Sequence, residues 1–211
     1  MNTLRLIFLS AALSQVVGVA AIAQPAAPPG GPPSFARGEK DIKGAPAGAY
    51  ELDATHASVI ALVSHMGYSN SVFRFDKVKG SLTWDPAAVA NSKLSVTVEP
   101  GSIATNVAGF AKELGGPMFL NVQAFPEATF VSTAFRQTAE GKGQVDGQFT
   151  LMGKTRPLTF DVNLVGAGKG FGKPRLGVNA RATINPQDFG ISPMLPGPIQ
   201  LIVDVEFVRT P

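Results

Sequence analysis

From residue 57 onward the chain is written in short runs of alternating apolar and polar residues. This two-residue period limits what it can fold into more than any other feature. Val78–Trp84, Lys93–Glu99, Ala128–Phe135, Gln144–Leu151, Pro157–Leu164, Gly177–Ile184 and Ile199–Phe207 alternate or nearly so. Ala57–His65 and Phe73–Phe75 add further runs, with Gly, Pro, Asn and Asp at the joins. Successive side chains of a strand point to opposite faces, so each run carries one apolar and one polar side. The pattern predicts about eight antiparallel strands in one domain over about 48–210. Only Val107–Leu114 has helical spacing, with Phe110 and Leu114 four apart.

Eight such strands have two common solutions, a sandwich of two packed faces or a closed barrel with one face inward. Periodicity leaves both open but fixes which side chains share a face. Phe149 and Leu151 share one, as do Leu158, Phe160, Val162 and Leu164, and as do Ile199, Leu201, Val203, Val205 and Phe207. Asp204 and Glu206 point the other way, as solubilising residues would.

The start of the chain is different. Arg5 precedes the apolar stretch Leu6–Val19, and Ala21-Ile22-Ala23 puts small residues at −3 and −1 of a cut before Gln24. The stretch is shorter than the roughly 20 apolar residues of a membrane span. The expectation is a signal peptide over 1–23, cleaved near Ala23, and a periplasmic or secreted mature protein. Residues 24–47 are rich in Pro and Gly and read as a linker.

The chemistry inventory is thin. The chain has no Cys, which excludes a disulfide scaffold, a thiol nucleophile, a cysteine zinc site and a lipidated N-terminal Cys. Net charge is +3 without a long basic run, so nucleic acid is not an expected partner. The two histidines, His56 and His65, are an odd number of residues apart and would face opposite sides of one regular strand. Asp53 is near in sequence but spaced for neither a helix nor a strand pair with His56. No Gly-x-Ser-x-Gly elbow occurs, and Gly166–Gly172 reads as a flexible hairpin loop. Asp188 reads as a cap on backbone donors at a strand end. No catalytic residue, metal site or cofactor is expected, and binding is favoured over catalysis.

Several strings together resemble the YceI-like family of secreted, lipid- or polyisoprenoid-binding proteins. They are Tyr50-Glu-Leu-Asp53 with His56-Ala-Ser-Val59 and His65-Met-Gly67, then Val72–Phe75, Val78–Gly80 and Leu82–Asp85. Ser102–Thr105, Phe125–Thr133, Val145–Asp161 and Asn185–Ile191 follow in order. The chain departs from the family where Phe73 replaces a usual Gly and Pro186 a usual basic residue. An Arg-x-x-His-Leu element gives way to Val107–Leu114, and Phe119-Leu-Asn121 stands for Phe-Phe-Asp. A bulky Phe73 narrows a cavity or reshapes its mouth.

The resemblance implies an all-β, eight-stranded antiparallel lipocalin-like barrel with an apolar tunnel and a short capping helix, frequently a homodimer. It implies a carrier or sequestering protein for a long apolar ligand, a polyisoprenoid, quinone or fatty amide, with no enzyme activity. The alternatives are an accessory to a membrane redox or lipid-processing system, touching a membrane partner transiently, and a filled-barrel structural module. The family's apolar and His positions at odd numbers assign Val59, Ala61, Val63 and His65 inward, with Phe75 across from them. Face parity adds Phe130, Phe149, Leu151, Phe160, Val178 and Val203. In this reading His65 lies near the mouth, where its ring donates to a headgroup oxygen.

Overall fold

The structure is a computed structural model, and it describes residues 36–195 and 197–211. The expected signal peptide and the first part of the expected linker lie outside the described residues. Ten strands follow in order: β1 (Gly48–His65), β2 (Ser69–Phe75), β3 (Val78–Trp84), β4 (Lys93–Val98), β5 (Ile103–Ala104), β6 (Ala128–Ala139), β7 (Lys142–Leu151), β8 (Lys154–Gly170), β9 (Lys173–Ile184) and β10 (Ile199–Arg209). The helix α1 (Phe110–Leu114) stands between β5 and β6. It is shorter than the segment with helical spacing, because Gly109 is left-handed at its start and Gly115 ends it.

Eight of these strands close a barrel. The circuit runs β1, β10, β9, β8, β7, β6, β4, β3 and back to β1, antiparallel throughout. A closed barrel leaves no unpaired sheet edge, which decides the barrel over the sandwich. Along one side of β1, β3 pairs with its beginning and β2 with its end, so β2 and β3 share that side in succession. The short β5 pairs with β2 alone. The β1–β2 hairpin, α1, the β7–β8 hairpin and the segment after β9 therefore lie at one end of the barrel. The opposite end holds the β3–β4 loop and the β6–β7 and β8–β9 hairpins.

Tight turns set the registers. Met152 and Gly153 have φ of 49° and 70°, the pair of positive values that matches strand twist in the two-residue β7–β8 hairpin, and Met66 and Gly67 have 54° and 79° in the three-residue turn between β1 and β2. Irregularities in β1 (between Leu52 and Ala57), in β6 (between Ser132 and Ala134) and in β8 (between Leu164 and Gly166) reverse which parity faces inward.

Two expectations need correction. Residues 39–47 are not a free linker: Glu39 pairs with Ala167, a 3-10 turn covers Ile42–Gly44, and Ala45 is fully buried. The glycine run 166–172 is not simply a loop either. Gly166, Gly168 and Gly170 belong to β8, and only Phe171-Gly172 turn. The glycines make room for this arm. A Cβ on Gly166 would lie 3.0 Å from the backbone of Gly38, and one on Gly44 would lie 2.7 Å from the Ala167 oxygen.

Candidate functional site: an apolar tunnel

Among the described residues, inward side chains line cavities of about 200 and 110 Å³. The larger is walled by aromatic and aliphatic residues, among them Trp84, Phe130, Phe135, Phe160 and Phe207, and reaches the β6–β7 hairpin. The smaller lies beneath α1 and includes Phe73, Phe75, Leu114, Phe119 and Ile191. Val59, Val98, Ala128, Phe149 and Leu201 line both. Through these five shared residues the two cavities adjoin inside the barrel.

Of the residues assigned inward from the sequence, Val59, Phe130, Phe149, Phe160, Val178 and Val203 line the larger cavity. Ala61, Val63, Phe75 and Leu151 line the smaller, together with Val59 and Phe149. His65 does not: it is exposed at the last position of β1, beside the Met66-Gly67 turn, and lines neither cavity. Its odd number matches Val59 and Val63, but the barrel wall ends before the strand does. An inward His65 is therefore corrected.

Parity also missed residues. Leu52 and Phe135 line the larger cavity because the irregularities in β1 and β6 turn them inward. Parity holds for Phe73, two residues before Phe75: it is buried in the smaller cavity, opposite Ala61 in the hairpin, with its ring centroid 5.9 Å from that of Phe110. It anchors α1 over the barrel end.

Aromatic contacts shape the tunnel. Phe130 and Phe160 meet edge to face at 5.1 Å, and Phe149 and Phe189 at 5.3 Å. The Phe130 ring crosses β7 at Gly147, where an added Cβ would stand 2.4 Å from the ring. At the β6–β7 mouth, Arg136, Gln137, Lys142 and Gln144 contribute to the lining. Arg136 is tied to Asp146 and to Gln144, whereas the Lys142 ammonium has no carboxylate partner among the described residues.

The second polar cluster lies outside the wall. The irregular stretch of β1 folds Asp53 and His56 together, His56 Nδ1 standing 2.9 Å from Asp53 Oδ2. Arg175 donates to Asp53 at 3.0 Å and to Glu206 at 2.7 Å, so Glu206 is an ion-pair partner and not merely a solubilising group. Hydrogen bonds from Thr55, from His56 and from Arg175 hold the Asp53 carboxyl far below the usual carboxylate range. Side-chain donor atoms of Asp53, His56 and Glu206 lie within 4.8 Å of one another, but a guanidinium already supplies the positive charge that the two carboxylates face. Asp188 accepts from the Asn185 side chain at 3.3 Å, not from the backbone donors expected of it.

Comparison with known proteins agrees with this geometry. The family model described as YceI-like domain matches residues 50–208. The UPF0312 protein of Pseudomonas putida strain W619 is 41% identical over 145 residues, covering 67% of this chain and 76% of that protein. The UPF0312 protein of Pseudomonas fluorescens strain SBW25 is 38% identical over 160 residues, covering 74% and 82%. Among solved structures, Burkholderia cenocepacia BcnA superposes with a TM-score of 0.65 at 21% identity, covering 75% of this chain and 99% of that one. A polyisoprenoid binding domain from Saccharophagus degradans, implicated in plant cell wall breakdown, superposes with a TM-score of 0.57 at 15% identity, covering 77% and 98%.

Proposed function

We propose, for a chain that belongs to the YceI-like domain family, that it binds one long apolar chain inside the barrel and carries or sequesters it outside the cytoplasm. The observation that carries this reading is the continuity of the lining: two apolar cavities share five residues and open toward a polar rim at the β6–β7 hairpin. Removing apolar surface from water is enough to drive such binding. At about 0.8 kcal/mol per methylene, ten methylenes contribute about 8 kcal/mol before ordering costs. A polyisoprenoid, a quinone tail or a fatty amide has the required shape. The Saccharophagus degradans domain, named for polyisoprenoid binding, supports the ligand class. Export through the signal peptide over 1–23 belongs to the same proposal.

Binding of this kind requires no catalytic group. Both histidines lie away from the cavity linings, and the Asp53–His56–Arg175–Glu206 cluster is on the outer surface. The reading is therefore a binding protein that leaves its ligand chemically unchanged. The test is solvent extraction of freshly purified full-length protein with mass analysis of the extract. A stoichiometric long-chain molecule, recovered unaltered after incubation, is the expected result. An extract with no apolar chain, from protein that also fails to take up any added chain, would overturn the proposal.

A further inference from the structure

We infer that Phe149 is a chain-length gauge: it divides the tunnel into a main compartment and a terminal one, and so sets how long a chain the barrel accepts. The inference rests on the carrier reading above. Five residues line both cavities, and they differ in what they can do. Val59 and Val98 are β-branched and stiff at χ1. Ala128 has no rotamer to change. Leu201 is aliphatic, which leaves Phe149 as the one ring at the junction.

That ring is braced. Phe189, 3% exposed and at the end of the 3-10 turn Pro186–Phe189, meets it edge to face with centroids 5.3 Å apart. A chain entering at the β6–β7 mouth fills the larger cavity first. To reach the smaller one, about half that volume, it must turn the Phe149 ring off Phe189. What an edge-to-face pair contributes beyond its buried area is comparable to the burial of about one or two methylenes of chain. Elongation across this point therefore gains little affinity until the chain is well inside the terminal compartment.

The experiment is displacement of a fluorescent apolar probe from full-length protein by straight-chain alkanoic acids of increasing length. Affinity is expected to rise roughly fourfold per methylene at first, and then to flatten where the larger cavity is full. Phe149→Ala should move the flattening to chains several carbons longer. Phe189→Leu, which keeps an apolar residue at that position but removes the brace, should move it the same way by less. A plateau at one length in all three proteins, or a wild-type series without a break, overturns the gauge and leaves the carrier reading standing. Failure of every acid to displace the probe, or of the probe to bind, overturns both.

Discussion

The Trp84 indole donates from Nε1 to the carbonyl of Ala45, 3.1 Å away across 39 positions of sequence, and both residues are buried. This bond fastens the segment before the barrel to the end of β3. Tyr50 adds a second fastening, its hydroxyl donating to the Pro46 carbonyl at 2.6 Å. Ile42, in the turn between Glu39 and Ala45, lines the larger cavity, so the arm is part of the tunnel wall. Trp84→Phe keeps an aromatic ring but leaves the Ala45 carbonyl without its donor. An unsatisfied buried acceptor costs about 1–3 kcal/mol. The denaturation midpoint should fall accordingly, and limited proteolysis should cut faster between residues 38 and 45.

Gly147 is under a different constraint. Its φ is not in the left-handed region, and what it needs is the space that the Phe130 ring takes above it. Gly147→Ala puts a methyl where that ring lies, with the Val131 carbonyl 2.6 Å away on the strand side. Overpacking of this kind costs about 1–3 kcal/mol. Thermal unfolding should report the loss. Phe130→Leu in the Gly147→Ala background should recover part of it, since the shorter side chain vacates the clash.

Asp53 links stability to pH. Its folded-state pKa lies below the ordinary value near 3.8, so its ionised form contributes stability that is complete above that value and is lost as pH falls below it. Replacement by Asn should destabilise the protein at neutral pH by about 1.5–3 kcal/mol, the range for hydrogen bonds to a charged group. The difference between Asp53→Asn and wild type should narrow from about pH 4 downward. Chemical denaturation at pH 7, 5, 4 and 3 checks this, and a difference that stays constant to pH 3 would count against the assignment.

His65 gives the opposite expectation. It is exposed at the edge of a turn and lines no cavity. His65→Ala should change stability by less than about 0.5 kcal/mol, as exposed substitutions usually do, and should leave probe affinity unchanged. A loss of retained ligand in this variant would restore the headgroup role that the sequence suggested.

The contrast between His65 and Val63 shows what the sequence could and could not convey. Alternation reports faces faithfully wherever a strand runs regularly against its neighbours, and Val59, Ala61 and Val63 are buried as parity requires. Parity carries no record of where the barrel wall stops, and so it places His65 inward with them. Nor does it register an irregular stretch: five steps of β1, from Leu52 to Ala57, face only two steps of β10, from Phe207 to Val205. That stretch brings Asp53 to His56 and turns Leu52 inward, neither of which linear spacing contains. The arm at 39–47 was hidden for another reason. Its composition suits a linker, and what holds it is the match between its own backbone and the glycines of β8, a long-range relation between two unremarkable segments.

The most direct test of the tunnel adds volume to it and removes nothing. Val178 lies on β9, half-buried, with its side chain lining the larger cavity and its register partners Val205 and Leu164 on either side. Val178→Phe places a ring into space that a ligand chain would otherwise occupy. Filling a cavity with apolar atoms gains contacts that the empty lining lacks, so unfolding should not shift to lower temperature by more than a few degrees. Probe and alkanoic-acid affinity should fall at least tenfold, because each methylene excluded from the tunnel forfeits about 0.8 kcal/mol and a phenyl ring displaces several. The two readouts together separate blockade from misfolding: a folded Val178→Phe protein that binds the full series as wild type does would mean that the chain does not occupy the larger cavity.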